Sequence, residues 1–164
     1  MAGLERLRPD HAPALLAFER RNRAYFAASV PDRGDAFFAE FDRRHADLLA
    51  EQEAGKHHFH VLTDRSGTVL GRVNLVDVGN GSAELGYRVA RQAAGRGLAT
   101  AGVRQVCALA AGKYGLTTLR ARTTADNAGS RAVLARAGFQ EAGTLVLTGK
   151  PGLCFTLDLR RALP

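Results

Sequence analysis

The segment Gln92-Ala93-Ala94-Gly95-Arg96-Gly97-Leu98-Ala99-Thr100 sets two glycines, one residue apart, between an alternating run and a long helical pattern. A strand-to-helix turn of this kind points several backbone N–H groups into one concavity, and the helix N-terminus adds about half a positive charge. Glycine lets the chain approach an anion with no Cβ in the way. The chemistry this suits is the holding of a pyrophosphate. Two familiar phosphate loops do not fit. Leu98 follows Gly97 where a Walker A loop needs lysine, and Thr100 stands where a dinucleotide loop needs its third glycine. The dinucleotide loop also expects an acidic residue about 20 positions on, and the next strand carries Arg120 and Arg122 instead.

Other reactive side chains point to less. His58 and His60 share one face of a strand beside His57, but no third ligand follows at a zinc spacing, so no metal site is expected. Cys107 falls in the middle of a helical pattern and Cys154 in a strand, with no CxxC. Neither sits where a thiol is activated. Two such cysteines suit a reducing compartment and small buried positions.

The elements that must position these groups are legible from periodicity. Residues 3–8 read as a short strand. A helix is expected from about 11 to 28, with Leu15, Leu16, Phe18, Tyr25 and Phe26 on its apolar face, broken by Ser29-Val30-Pro31-Asp32. A second runs from about 34 to 54, with Phe37, Phe38, Phe41, His45, Leu48 and Leu49 at helical spacing, and Gly55 stops it. The period then changes to two. Strands are expected at 58–63, 69–78 and 83–90, the last two joined by Gly79-Asn80-Gly81, a strong hairpin signal. A helix at about 97–113, a strand at 116–123, a helix at 127–137 and a strand pair at 139–146 and 153–159 complete the chain. The order β-α-α-β-β-β-α-β-α-β-β is mixed α/β, with a largely antiparallel sheet and two crossover helices.

Composition agrees with one folded domain spanning residues 1–164. The chain has 164 residues, 46% hydrophobic and 24% charged, which excludes a disordered tail. No apolar run approaches the roughly 20 residues of a membrane span, and Met1-Ala2-Gly3-Leu4-Glu5-Arg6 does not read as a secretory signal. Lys+Arg outnumber Asp+Glu by 23 to 16, giving +7. The basic residues are single or paired, without interleaved aromatics or a nucleic-acid module, so nucleic acid is a disfavoured partner.

Glu84-Leu85-Gly86-Tyr87-Arg88-Val89-Ala90, followed by Gln92-x-x-Gly95-x-Gly97-Leu98-Ala99, resembles the acyl-CoA signature of the GNAT superfamily of N-acetyltransferases, Q/R-x-x-G-x-G/A. Asn127-Ala128-Gly129-Ser130, then Leu134-Ala135-Arg136-Ala137-Gly138-Phe139, is similar to the superfamily stretch N-x-x-S followed by L-x-K/R-x-G-F. Gly71-Arg72-Val73-Asn74-Leu75 and Asn22-Arg23-Ala24-Tyr25-Phe26 look like the branch of ribosomal-protein alanine N-acetyltransferases. The resemblance spans roughly residues 3 to 160. It implies a seven-stranded, largely antiparallel sheet with a splayed strand pair, flanked by about four helices.

The resemblance also implies roles. Acetyl-CoA is the expected cosubstrate. The backbone of Val89 and Ala90 would pair with the pantetheine. Gln92 opens the signature, and the N–H groups of Ala94, Gly95, Arg96 and Gly97, with Leu98 and Ala99 behind them, would hold the pyrophosphate. Asn127, a favoured N-cap in any case, would touch the pantetheine, and Ser130 would lie near the sulfur. Glu84 is the candidate base for the amine, ahead of Asp77 and Glu141. No tyrosine lies between Tyr114 and the C-terminus, so Ser130 or bulk water is expected to protonate the leaving thiolate. The acceptor is expected to be a protein N-terminal amine or a small amine, in the cytoplasm, with room for a homodimer. A non-catalytic acyl-CoA-binding module is the alternative. The last hairpin, Thr148-Gly149-Lys150-Pro151-Gly152-Leu153-Cys154, departs from the branch in lacking its aromatic and acidic residues.

Overall fold

Alternating apolar residues build one seven-stranded sheet, in the order β1-β2-β3-β4-β5-β7-β6. Its strands are β1 (Gly3–Arg6), β2 (His58–Thr63), β3 (Val69–Gly79), β4 (Ser82–Val89), β5 (Thr118–Thr124), β6 (Gln140–Leu147) and β7 (Lys150–Asp158). The computed structural model describes residues 3–161. Met1 and Ala2, at the start of the segment read as lacking a signal, lie outside the described residues, as do 162–164 at the end of the expected domain. Neighbouring strands are antiparallel except β4 and β5, which run parallel and need a crossover. Asn80 and Gly81, both at positive φ, close the β3–β4 hairpin as that turn type demands.

Helices cover both faces of the sheet. On one face lie α5 (Leu98–Gly112) and α6 (Ala128–Arg136). Val103, Val106, Cys107 and Ala110 of α5 and Leu134 of α6 pack there against Leu62, Val73, Leu85, Leu119 and Phe155. On the other face Leu15, Phe18, Phe26 and Phe41 pack against Phe59, Val61 and Val69. β2 is buried on both sides, so His60 and Thr63 are out of water along with Phe59, Val61 and Leu62.

The helix count differs from expectation. Among the described residues six α-helices form rather than about four, because each N-terminal helix is divided. The first becomes α1 (Ala12–Arg21) and α2 (Arg23–Ala27). Asn22 divides them: its Nδ2 donates to the Phe18 carbonyl at 2.9 Å, competing with the helical ladder. Its Oδ1 accepts the Arg91 N–H at 3.0 Å, tying this joint to the end of β4. The second becomes α3 (Asp35–Ala39) and α4 (Phe41–Glu53). There the ladder continues through Glu40, whose N–H bonds Ala36 and whose carbonyl accepts from Arg44, so the division is a bend. Among the described residues no helix is long and apolar enough to cross a membrane.

Candidate active site

β4 and β5 pair over only three positions, Ser82 to Glu84 against Thr118 to Arg120. Beyond Glu84 they part, while β4 stays paired with β3 as far as Val89. A cavity of about 650 Å³ occupies the opening. Tyr87, Arg88 and Val89 form its β4 wall, the Gly95–Thr100 turn one end, and the start of α6 the opposite wall.

The ladder decides which β4 backbone groups face this space. The Ala90 N–H bonds the Leu70 carbonyl at 2.8 Å, and the Ala90 carbonyl accepts from Ala93. Ala90 is therefore spent on structure and buried. In an antiparallel pair the direction alternates, so Tyr87 and Val89 turn their N–H and C=O toward the opening. The expected pairing role fits Val89 and not Ala90.

The glycine turn is built as the sequence requires. Gly95 and Gly97 have φ of 76° and 73°, a conformation costly to residues with a Cβ. A Cβ at either would meet no protein atom within 4 Å, so the space beside them is open. Gly97 caps α5 without a side-chain partner. Among the described residues no acceptor meets the N–H groups of Gly95, Arg96, Gly97, Leu98, Ala99 or Thr100. The Ala94 N–H differs, since it already bonds the Arg91 carbonyl at 3.2 Å. Gln92 lines a separate cavity with Phe18, Asn22 and Ser66, and the exposed Arg96 side chain is not part of the main cavity's wall. Of the expected amides, the Ala94 N–H is thus already engaged in the turn, while Arg96 presents its N–H rather than its side chain.

Across the opening, the Asn127 Oδ1 accepts the Ser130 N–H at 3.1 Å and caps α6. The Ser130 hydroxyl lies 2.8 Å from the Tyr87 hydroxyl, which also donates to the Ser130 carbonyl at 3.2 Å. Burial pushes the Tyr87 phenol above its ordinary value, more than the Ser130 contact lowers it, so it carries its proton at neutral pH. Sequence reasoning sought a tyrosine after Tyr114 and missed this one. The signal lay in the Glu84–Ala90 run, where period two turns Tyr87 to the face opposite Glu84.

Glu84 is absent from the cavity wall. Its carboxylate accepts from Arg122 on β5 at 2.9 Å. It shares a sheet face with Gly86 and Arg88, at alternate positions about 7 Å apart. Gly86 is exposed and a Cβ there would meet nothing within 4 Å, so the strip between Glu84 and Arg88 is open. Asn74, opposite Gly86 on β3, has a buried Oδ1 with no donor among the described residues. Asp77 and Glu141 are exposed and line none of these surfaces.

The histidines and Cys107 are structural. His60 Nδ1 faces the Val73 carbonyl at 3.0 Å and Nε2 the Tyr114 hydroxyl at 2.6 Å, while His58 stacks on the Tyr114 ring with centroids 3.7 Å apart. Burial pushes the Cys107 thiol up to about 12, which removes it as a nucleophile.

Comparison with known proteins agrees with this arrangement. Residues 2–140 match the family model described as an acetyltransferase (GNAT) domain. A Bacillus subtilis (strain 168) protein named "Putative ribosomal N-acetyltransferase YdaF" is 31% identical over 131 residues, 76% of this chain and 67% of that protein. The ribosomal-protein-S5-alanine acetyltransferase of Vibrio fischeri superposes with a TM-score of 0.90 at 20% identity, over 96% of this chain and 92% of that one. Mycobacterium smegmatis RimJ, solved in complex with CoA-disulfide, gives 0.85 at 24% identity, over 96% and 81%. These two structures share the fold. With a splayed β4–β5 pair, a glycine turn opening α5 and a family model covering most of its length, the chain belongs to the GNAT acetyltransferase domain family.

Proposed function

We propose that this protein transfers the acetyl group of acetyl-CoA to the N-terminal amine of a protein, by direct attack with both substrates bound. The observation that carries the reading is the opening between β4 and β5, with unpaired amides at one end and the Tyr87–Ser130 hydroxyl pair facing it. The cosubstrate suits what is present: among the described residues the Gly95–Thr100 amides meet no acceptor, and the space beside Gly95 and Gly97 is open. These amides would hold the pyrophosphate, and Val89 the pantetheine. Asn127, engaged by Ser130, contributes by fixing the start of α6. We read residues 1–164 as one acetyltransferase domain, and the free thiols of Cys107 and Cys154 suit the cytoplasm.

Bound there, the thioester supplies an activated acetyl group. The chain's own residues manage two protons. A free α-amino group has a pKa near 8, so the amine must lose a proton before it attacks. Glu84, about 7 Å along the strand from open Gly86, takes it through a water. Ser130, backed by the protonated Tyr87, gives a proton to the departing sulfur. A ribosomal-protein N-terminus is the acceptor best supported, by similarity to the Bacillus relative. The test is thiol release from acetyl-CoA over a panel of N-terminal peptides and small amines. Release with peptides supports the reading, and release with small amines alone overturns the protein acceptor.

A further inference from the structure

Glu19 on α1 is a buried carboxylate among three arginines. Arg33 Nε donates to its Oε1 at 3.0 Å and Arg72 Nη1 to its Oε2 at 2.7 Å. Both oxygens are thus engaged at close range, and Arg88 reaches Oε1 only at 3.4 Å. Burial pushes the Glu19 carboxyl up, but Arg72 and Arg33 outweigh it and hold it below its ordinary value. Beside this group, Arg23 pairs with both Asp32 and Asp35. Three guanidinium groups therefore face the single carboxylate of Glu19, with Arg72 buried and Arg33 and Arg88 partly exposed. Burial, with the charge of Arg33, pulls the Arg88 guanidinium down to about 10, so it stays charged at neutral pH.

Arg88 is the member of this group that reaches the cavity. Its guanidinium lies over the Phe26 ring, 4.7 Å from the centroid, and its side chain is 22% exposed. A guanidinium has five N–H donors in a fixed fork. Among the described residues, Glu19 at 3.4 Å is the only side-chain acceptor Arg88 meets. An uncompensated charge held partly out of water is costly unless an anion reaches it. The open strip over Gly86 places an incoming amine beside it.

We infer that Arg88, backed by Arg33, binds an anionic oxygen group of the acceptor, a carboxylate or a phosphate within two residues of the reacting amine. The inference rests on the transferase reading above and names the acceptor class for it. An extended peptide rises about 3.3 Å per residue, so one or two residues carry its chain from Gly86 to the Arg88 fork. A bidentate guanidinium contact then orients the amine as well as attracting it.

The test compares initial rates of thiol release on matched N-terminal peptides, Asp against Asn and phosphoserine against serine at position two. The wild-type enzyme is expected to favour at least one charged member roughly tenfold or more, mainly through KM. Asp and phosphoserine separate carboxylate from phosphate recognition. In Arg88→Gln that charged-to-neutral ratio falls to near one, and in Arg33→Gln it shrinks. Should Arg88→Gln not fold, the wild-type ratios decide alone. Equal rates on charged and neutral peptides overturn the inference and leave the transferase reading standing. Release with no amine at all overturns both.

Discussion

At the residue scale the account turns on two protons and the groups that handle them. Tyr87 and Ser130 form one hydroxyl pair, so removing either should damage the same step. Tyr87→Phe and Ser130→Ala are each expected to lower kcat by about tenfold, with the double variant scarcely worse than the worse single one. Additive losses in a double-mutant cycle would separate the two roles. Glu84→Gln is expected to cost roughly 10²-fold or more in turnover, as for a lost general base, with acetyl-CoA affinity unchanged by calorimetry. Wild-type turnover across pH 6 to 9 in that variant would remove Glu84 from the reaction. Its ion pair with Arg122 also holds the carboxylate in place, so Arg122→Gln should lower turnover less than Glu84→Gln does.

At the element scale, the glycine turn and the core around β2 make separate claims. Gly97→Val forces a β-branched residue to a φ of 73° and fills open space beside the unpaired amides. The strain should lower stability by about 1–2 kcal/mol, and acetyl-CoA affinity should fall at least tenfold in calorimetric titration. Unchanged affinity would move the pyrophosphate elsewhere. His60 gives a pH signature. Burial holds its folded pKa at about 4 against 6.5 for a free histidine. Between those values the unfolded chain binds the extra proton, so stability falls as pH drops from 6.5 toward 4, by about 3 kcal/mol in all. Urea midpoints over that window should show the slope, and His60→Gln should flatten it.

Much of this level was legible in the sequence, and the misses have physical causes. The apolar residues from His58 to Val89 and the Asn80-Gly81 turn marked the central strands, because strands covered by helices bury their apolar side chains and the turn needs positive φ. The division at Asn22 was hidden, since helical periodicity runs straight through it and only the tertiary contact with Arg91 makes its side chain decisive. The turn glycines were legible because backbone conformation demands them. Tyr87 was legible only as a residue on the face opposite Glu84, because its partner Ser130 lies 43 residues away and only the folded sheet brings them together. Nothing in the sequence around Glu19 marks it, because only the fold brings Arg33, Arg72 and Arg88 onto its carboxylate.

At the scale of the whole molecule, the sheet divides the work between its faces. One face packs on α5, whose first turn closes one end of the cavity, and the other meets α1 and α2 beside the Glu84–Gly86–Arg88 strip. The opening between β4 and β5 joins the two. A donor bound from one side and an amine arriving from the other would meet there, which is the central claim. Of the +7 excess of basic residues, the three arginines around Glu19 form one local cluster, and the rest is spread along the chain. The measurement that tests the claim most directly follows both products at once: free thiol, and amine carrying one added acetyl group by intact mass. The account predicts equal amounts of the two with wild-type protein, and neither with Gly97→Val under the same conditions. Tight binding of acetyl-CoA at the glycine turn with no acetylated amine from any acceptor would contradict it, and would mark the chain as a module that binds the ligand without using it.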